Sequence, residues 1–191
     1  HLPALQVVIP LIAATLCALF RQSFLAWLIT LLASWLSFAI AILLLLQVIS
    51  RGVISYELGG WVAPIGIEYR IDLLNAFVLL IVSGVGAVIA PYARKSISQS
   101  LVKSEQSWFY SMYLLVLTGL LGVTITGDAF NIFVFLEISS LASYVMIAMG
   151  PDRRGLTAAY QYLIMGTVGA TFIVIGIGLL WAMTGTLNLY D

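Results

Sequence analysis

The chain alternates between long apolar runs and short breaks that carry charge. Apolar residues fill 2–20 up to Arg21, then 24–49 up to Arg51. Further runs cover 73–93, closed by Arg94 and Lys95, and 158–183. The stretch 108–149 is too long for one crossing, and Thr126-Gly127-Asp128 divides it into two lengths that each fit. A bilayer crossing takes about 20 apolar residues in a helix. The pattern therefore predicts six transmembrane helices. A barrel would instead show alternating segments of about 10 residues. The runs here are continuous, and a helix satisfies its own backbone polar groups without water.

Two stretches between the runs have patterns of their own. In residues 53–71, VISYELGGWVAPIGIEYRI, β-branched and aromatic residues flank Gly59-Gly60 and Pro64, and Ile65, Ile67, Tyr69 and Ile71 alternate with other residues. This predicts a small β-hairpin at about 50–71. Residues 93–107 are polar and serine-rich, and read as an inner loop or short surface helix. The organisation expected is three transmembrane helices with hairpin and inner loop over 1–107, and three more helices over 108–191.

Composition sharpens the class. Hydrophobic residues make up 62% of the chain and charged residues 8%, with a mean hydropathy of +1.12. A soluble domain carries roughly a quarter charged residues, so this is an all-α integral membrane protein. The formal net charge is zero, which argues against a nucleic-acid partner. Arg21, Arg94, Lys95, Lys103, Arg153 and Arg154 fall in the loops after odd-numbered helices, against Arg51 and Arg70 on the other side. Positive charge favours the cytoplasmic side, which predicts both termini outside and the hairpin on the outer face. Trp108, Tyr110, Tyr160 and Tyr162 then fall at the inner interface. Residue 1 is His, and the first run lacks the basic start of a signal peptide.

No phosphate-binding glycine loop, Cys/His ligand cluster or Ser/His/Asp arrangement is recognisable, so no cofactor, metal or covalent catalysis is expected and the chain reads as a transport subunit, not an enzyme. Cys17 stands alone in an apolar run and reads as a small buried hydrophobe.

One residue breaks the apolar pattern with chemical consequence. In the fifth run, 127–150, Glu137 is the ionisable group inside the hydrocarbon. If Asp128 caps that helix, Glu137 lies about 13 Å along the axis, close to half of a ~30 Å hydrocarbon core. An acid there costs on the order of 2.5–3.5 kcal/mol, and such residues face a bundle interior or a wet cavity and mark ion pathways. Burial favours the neutral form of a carboxyl group and a nearby cation the charged form. A group balanced between the two is suited to exchanging protons. Ser140 and Tyr144 share its stripe at i+3 and i+7 and are candidate relay neighbours. Asp128 and Asp72, each just before an apolar run, read as helix caps, and Asp152 does the same for the last run.

TGDAFNIFVFLEISSLASY (126–144) resembles the fifth span of the D-type subunit of Mrp-type multisubunit Na+/H+ antiporters. YELGGWVAPIGIEYRIDLLNAF (56–77) is similar to the outer hairpin and third span of the same protein, and 158–191 to its sixth span and following loop. The superfamily also includes the M, N and L subunits of complex I and relatives in membrane-bound hydrogenases. The GGW-x-x-P-x-G-I block tilts the likeness toward the Mrp type. The resemblance implies the N-terminal part of a subunit of about fourteen helices built on inverted repeats. It implies a prokaryotic cytoplasmic membrane, other membrane subunits as partners, and H+ and Na+ as the ions. It maps the proton-handling glutamate onto Glu137, paired in the family with a lysine on a seventh helix. A redox-driven complex, NADH-quinone oxidoreductase or hydrogenase, is the alternative setting, and a structural scaffold the other.

Overall fold

The computed structural model describes residues 1–61 and 66–190. Six helices long and apolar enough to cross a membrane are present among them: α1 (Leu2–Leu19), α2 (Ser23–Arg51), α3 (Leu73–Ser100), α4 (Lys103–Ile125), α5 (Ala129–Ala148) and α6 (Arg153–Thr184). The expected six-helix membrane fold is the one observed. Between α2 and α3 lies the expected hairpin, antiparallel β1 (Ile54–Glu57) and β2 (Glu68–Ile71), in register from Ile54 opposite Ile71 to Glu57 opposite Glu68. Alternation holds within β2, where Tyr69 and Ile71 are buried and Glu68 and Arg70 half-buried. Pro64 and Ile65, assigned to the hairpin from sequence, lie outside the described residues.

The polar segment 93–107 corrects the sequence reading. It is neither a loop nor a separate helix: α3 continues to Ser100, α4 starts at Lys103, and extended Leu101 and Val102 make the break. Serine, glutamine and lysine permit a helix to continue, and no glycine or proline follows Pro91 to stop it. At 28 residues α3 is about 42 Å long, longer than the ~30 Å hydrocarbon core. Hydropathy marks where the lipid ends, not where the helix ends. Tyr110 also departs from the expected interface belt. It is buried in the bundle, whereas Trp108, Tyr160 and Tyr162 are exposed.

Helices α1–α4 pack on one another, α5 lies against α4, and α6 leans on α5. Two apolar clusters fill the four-helix part. One, at the hairpin end, joins Val7, Leu44, Leu79 and Leu121 to Tyr69 and Ile71. The other joins Ala14, Cys17, Ala26, Ala93, Tyr110 and Leu114. Fully buried among these apolar residues are Gln6, Ser34, Ser37, Ser83 and Thr118. Ser83 and Thr118 hydroxyls donate to carbonyls one turn back, at 2.6 and 2.7 Å. The Gln6 amide and the Ser34 and Ser37 hydroxyls have no hydrogen-bond partner among the described residues.

Candidate functional site

The approach to α5 is built by the Thr126-Gly127-Asp128 turn. Asp128 accepts a hydrogen bond from the Asn131 amide at 2.7 Å, satisfying one of the free N–H groups at the helix start. The Asn131 side chain donates back to Thr126 Oγ1 at 3.0 Å. The segment after α6 returns to this turn. Ala129 N–H donates to Leu187 O and Leu189 N–H to Gly127 O, both at 2.9 Å. The hairpin joins the same place, with Gly127 N–H donating to Glu68 O at 2.9 Å. A side chain at Gly127 would crowd the Tyr190 ring and the Glu68 carbonyl at 3.2 and 3.3 Å.

Charge reinforces this clasp. Glu68 accepts from Ser55 Oγ at 2.6 Å and from Asn188 Nδ2 at 3.0 Å. The Arg70 guanidinium lies 4.1 Å from the centroid of the Tyr190 ring. The Ser55 and Asn188 hydrogen bonds, helped by nearby Arg70, hold the Glu68 carboxyl below its ordinary value, against a smaller opposing effect of burial. Burial pushes the neighbouring Tyr69 phenol up. Asp72 caps α3 by accepting from the Asn75 amide at 2.8 Å, and Asp152 caps α6 through the Arg154 amide at 3.0 Å.

Inside the span, α5 meets α4 through glycine. A Cβ at Gly119 would sit 2.6 Å from the Phe135 carbonyl oxygen and from Ser139 Cβ, and one at Gly122 would strike the Phe135 ring. Phe135 and Ser139 therefore define the α4-facing side of α5. Glu137 lies two residues from each, about 200° round the helix at about 100° per residue. Its carboxyl group is on the opposite side, away from α4. Glu137 is half-buried, and among the described residues it has no hydrogen-bond or ion-pair partner.

Tyr144, two turns further on the same stripe, is committed to α6. It packs edge-on against Tyr162 with ring centroids 4.8 Å apart, and its hydroxyl occupies the space left by Gly166. Ser140, one turn from Glu137, is half-buried. No hydrogen bond joins Glu137 to Ser140 or Tyr144. The far half of α6 is open: a Cβ at Gly169, Gly176 or Gly178 would meet nothing within 4 Å, and Ala159 is the buried residue of this helix. The Glu137 stripe of α5 thus borders the least covered side of the described bundle.

The polar residues that sequence reasoning passed over are Gln6, Ser34 and Ser37. A single uncharged polar group barely lowers the hydropathy of an apolar run, so only packing reveals them as buried and unpartnered.

Residues 126–191, from the α5 turn through α6 and the returning segment, match the family described as NADH:quinone oxidoreductase/Mrp antiporter, TM. The chain is antiporter-like, similar to membrane subunits of Mrp and complex I assemblies. The N-type subunit of the NADH-quinone oxidoreductase of Desulforudis audaxviator is 43% identical over 100% of this chain and 38% of that protein. The D-type subunit of the Na+/H+ antiporter of Bacillus subtilis is 33% identical over 98% of the chain and 38% of that protein. This chain thus spans 38% of the length of both relatives. Among solved structures, the membrane-bound sulfane sulfur reductase, an archaeal respiratory membrane complex, superposes with a TM-score of 0.89 at 30% identity, over 97% of this chain and 38% of its counterpart. The Mrp complex from Dietzia sp. DQ12-45-1b gives 0.85 at 25% identity, over 98% and 35%. The resemblance read from the sequence, to antiporter D-type subunits and their complex I relatives, is found, but the tilt toward the Mrp type is not, since the oxidoreductase relative is the more similar of the two.

Proposed function

We propose that this chain forms part of an ion-translocating subunit of a multisubunit Na+/H+ antiporter, with Glu137 as the carboxyl group that takes up and releases a proton within the membrane. The observation that carries this reading is the state of Glu137: mid-helix in α5, turned away from α4, and without a hydrogen-bond or ion-pair partner among the described residues. A glutamate held in a fixed ion pair would be a strut. One without such a partner is free to answer to a cation that approaches and withdraws. Opposite charges about 4 Å apart at an effective dielectric of 20 attract by about 4 kcal/mol, enough to switch a carboxyl group between neutral and charged forms. The lysine of a seventh helix implied by the Mrp resemblance would supply that cation. Ser140, one turn away, offers a hydroxyl for a water-mediated relay, with Tyr144 beyond it. The setting is the cytoplasmic membrane of a prokaryote, with the Lys/Arg-rich end in the cytoplasm and other membrane subunits around it.

Glu137→Gln in the intact complex tests the role. In inverted membrane vesicles, Na+-dependent collapse of an imposed pH gradient should be lost while the complex still assembles. Undiminished transport by Glu137→Gln, or by Glu137→Ala, would make the residue a packing element and refute the proposal.

A second setting has its own support in the 43% identical oxidoreductase relative and the respiratory complex at TM-score 0.89. There the same carboxyl chemistry would be driven by electron transfer in partner subunits. Vesicles distinguish the two: an antiporter responds to an imposed sodium or proton gradient, whereas a redox-driven complex acidifies the lumen on addition of reductant.

A further inference from the structure

At the end of the bundle opposite the hairpin lies a cavity of about 330 Å³ that the reading above does not use. Phe24 and Trp27 of α2, Arg94 and Ser98 of α3, and Lys103 and Gln106 of α4 form its walls. It holds two cations and no carboxylate. The Arg94 guanidinium is held in place by aromatic faces, 4.4 Å from the Trp27 centroid and 5.1 Å from that of Phe24. Trp27 is itself fixed, its indole N–H donating to Ala90 O at 3.1 Å. Among the described residues neither Arg94 nor Lys103 has a carboxylate partner.

Backbone polarity points the same way. Helices α2 and α4 both start at this cavity, through Ser23 and Lys103. Their N-cap residues, Gln22 and Val102, make no side-chain cap, whereas Asp72, Asp128 and Asp152 cap α3, α5 and α6. The free N–H groups and dipole of a helix start favour an anion. Gln106, buried, ties the two starts together, accepting from Ser23 Oγ and donating to Leu101 O. The cavity is thus a rigid, cationic, donor-rich site with no carboxylate in its walls; Glu105, in the first turn of α4, lines the neighbouring cavity instead.

We propose that this cavity binds the phosphate group of an anionic phospholipid from the adjoining leaflet. The chemistry is that of a phosphate ester, which a guanidinium grips through paired hydrogen bonds. The lipid source follows from the surroundings. The site lies where the helices leave the hydrocarbon, and Phe24 and Leu25, exposed beside it, offer an apolar path for acyl chains. A basic pocket between transmembrane helices has this recognition chemistry.

The test uses the intact complex, exchanged into mixed micelles of phosphatidylglycerol and phosphatidylcholine, with retained lipid measured by native mass spectrometry. Phosphatidylglycerol should be retained in excess. Arg94→Gln and Lys103→Gln should each lower that excess about fivefold. Trp27→Leu, which keeps both charges but releases the guanidinium, should lower it as well. Arg153→Gln, which removes a cation of the same end away from the cavity, should leave it unchanged. No preference in the wild-type complex overturns the proposal. So does an equal loss on Arg153→Gln, which would mean diffuse surface charge. Binding of inorganic phosphate with no lipid retained would overturn the lipid source. Should Arg94→Gln fail to assemble, Lys103→Gln decides.

Discussion

Gly119→Ala is the substitution whose cost can be read most directly from the α4–α5 contact. The added methyl would lie 2.6 Å from the Phe135 carbonyl oxygen and from Ser139 Cβ, and 2.8 Å from the Ser139 nitrogen. Two of these three atoms are backbone of α5, so no side-chain rotation relieves the clash. Ordinary contact begins at 3.4 Å, so the helices must part by about 0.8 Å at a place where small residues let them touch. Overpacking of this kind costs roughly 1–3 kcal/mol, which for a domain of this size lowers Tm by roughly 2–12 °C. Because α5 carries Glu137 on its opposite face, the same shift displaces the carboxyl group, and ion transport should fall although Glu137 is intact. The assay is thermal unfolding of the purified complex followed by size exclusion, alongside transport in vesicles. Leu120→Ala, at the next, exposed position, removes volume without a clash and should change Tm much less. Wild-type Tm and transport in Gly119→Ala would refute the packing that places Glu137 away from α4.

Tyr144→Ala should loosen α6 from α5 at a cost of about 3–5 kcal/mol, seen as faster proteolysis at the 149–152 turn, while Tyr144→Phe keeps the edge-on contact with Tyr162 and stays near wild type. Asp128→Ala should destabilise the start of α5 by about 0.5–2 kcal/mol and speed hydrogen exchange at the Asn131 amide, which loses its acceptor. The Glu68 carboxyl is held below its ordinary value of 4.5, so its contribution to the clasp is fully present above that pH and is lost as pH falls through its lowered folded-state value. Protection of the Ala129 and Leu189 amides, measured as exchange relative to the intrinsic rate at each pH, should fall on acidification into that range, and Glu68→Gln should remove the dependence. Glu68 is only half-buried, so the effect should be small, and salt should weaken it further.

Much of this architecture was legible along the chain. Runs of about 20 apolar residues must become helices because lipid offers no hydrogen bonds to a bare backbone. The hairpin was visible in the alternation through Tyr69 and Ile71. Helix ends were less legible: α3 outruns its apolar stretch by seven residues, from 93 to Ser100, because a helix stops where backbone geometry stops it. The position of Glu137 along α5 was likewise countable from Asp128, at a fixed rise per residue.

Orientation around the axis was not countable. Helices α5 and α6 are apolar on nearly every side, so no polar stripe announces which face meets protein. Packing decides it: Gly119 and Gly122 admit Phe135 and Ser139 and thereby turn Glu137 away from α4, and Gly166 admits Tyr144. Nor could spacing show that the hairpin, the 126–128 turn and the segment after α6 meet through Glu68 and Asn188, 120 residues apart, or that Arg94 and Lys103 share a cavity. The sequence by itself determined how many times the chain crosses and where along a helix its acid lies, since hydropathy and helical rise are local properties. Tertiary structure alone decided what that acid faces and which distant residues meet, because those depend on how uniformly apolar surfaces pack against one another.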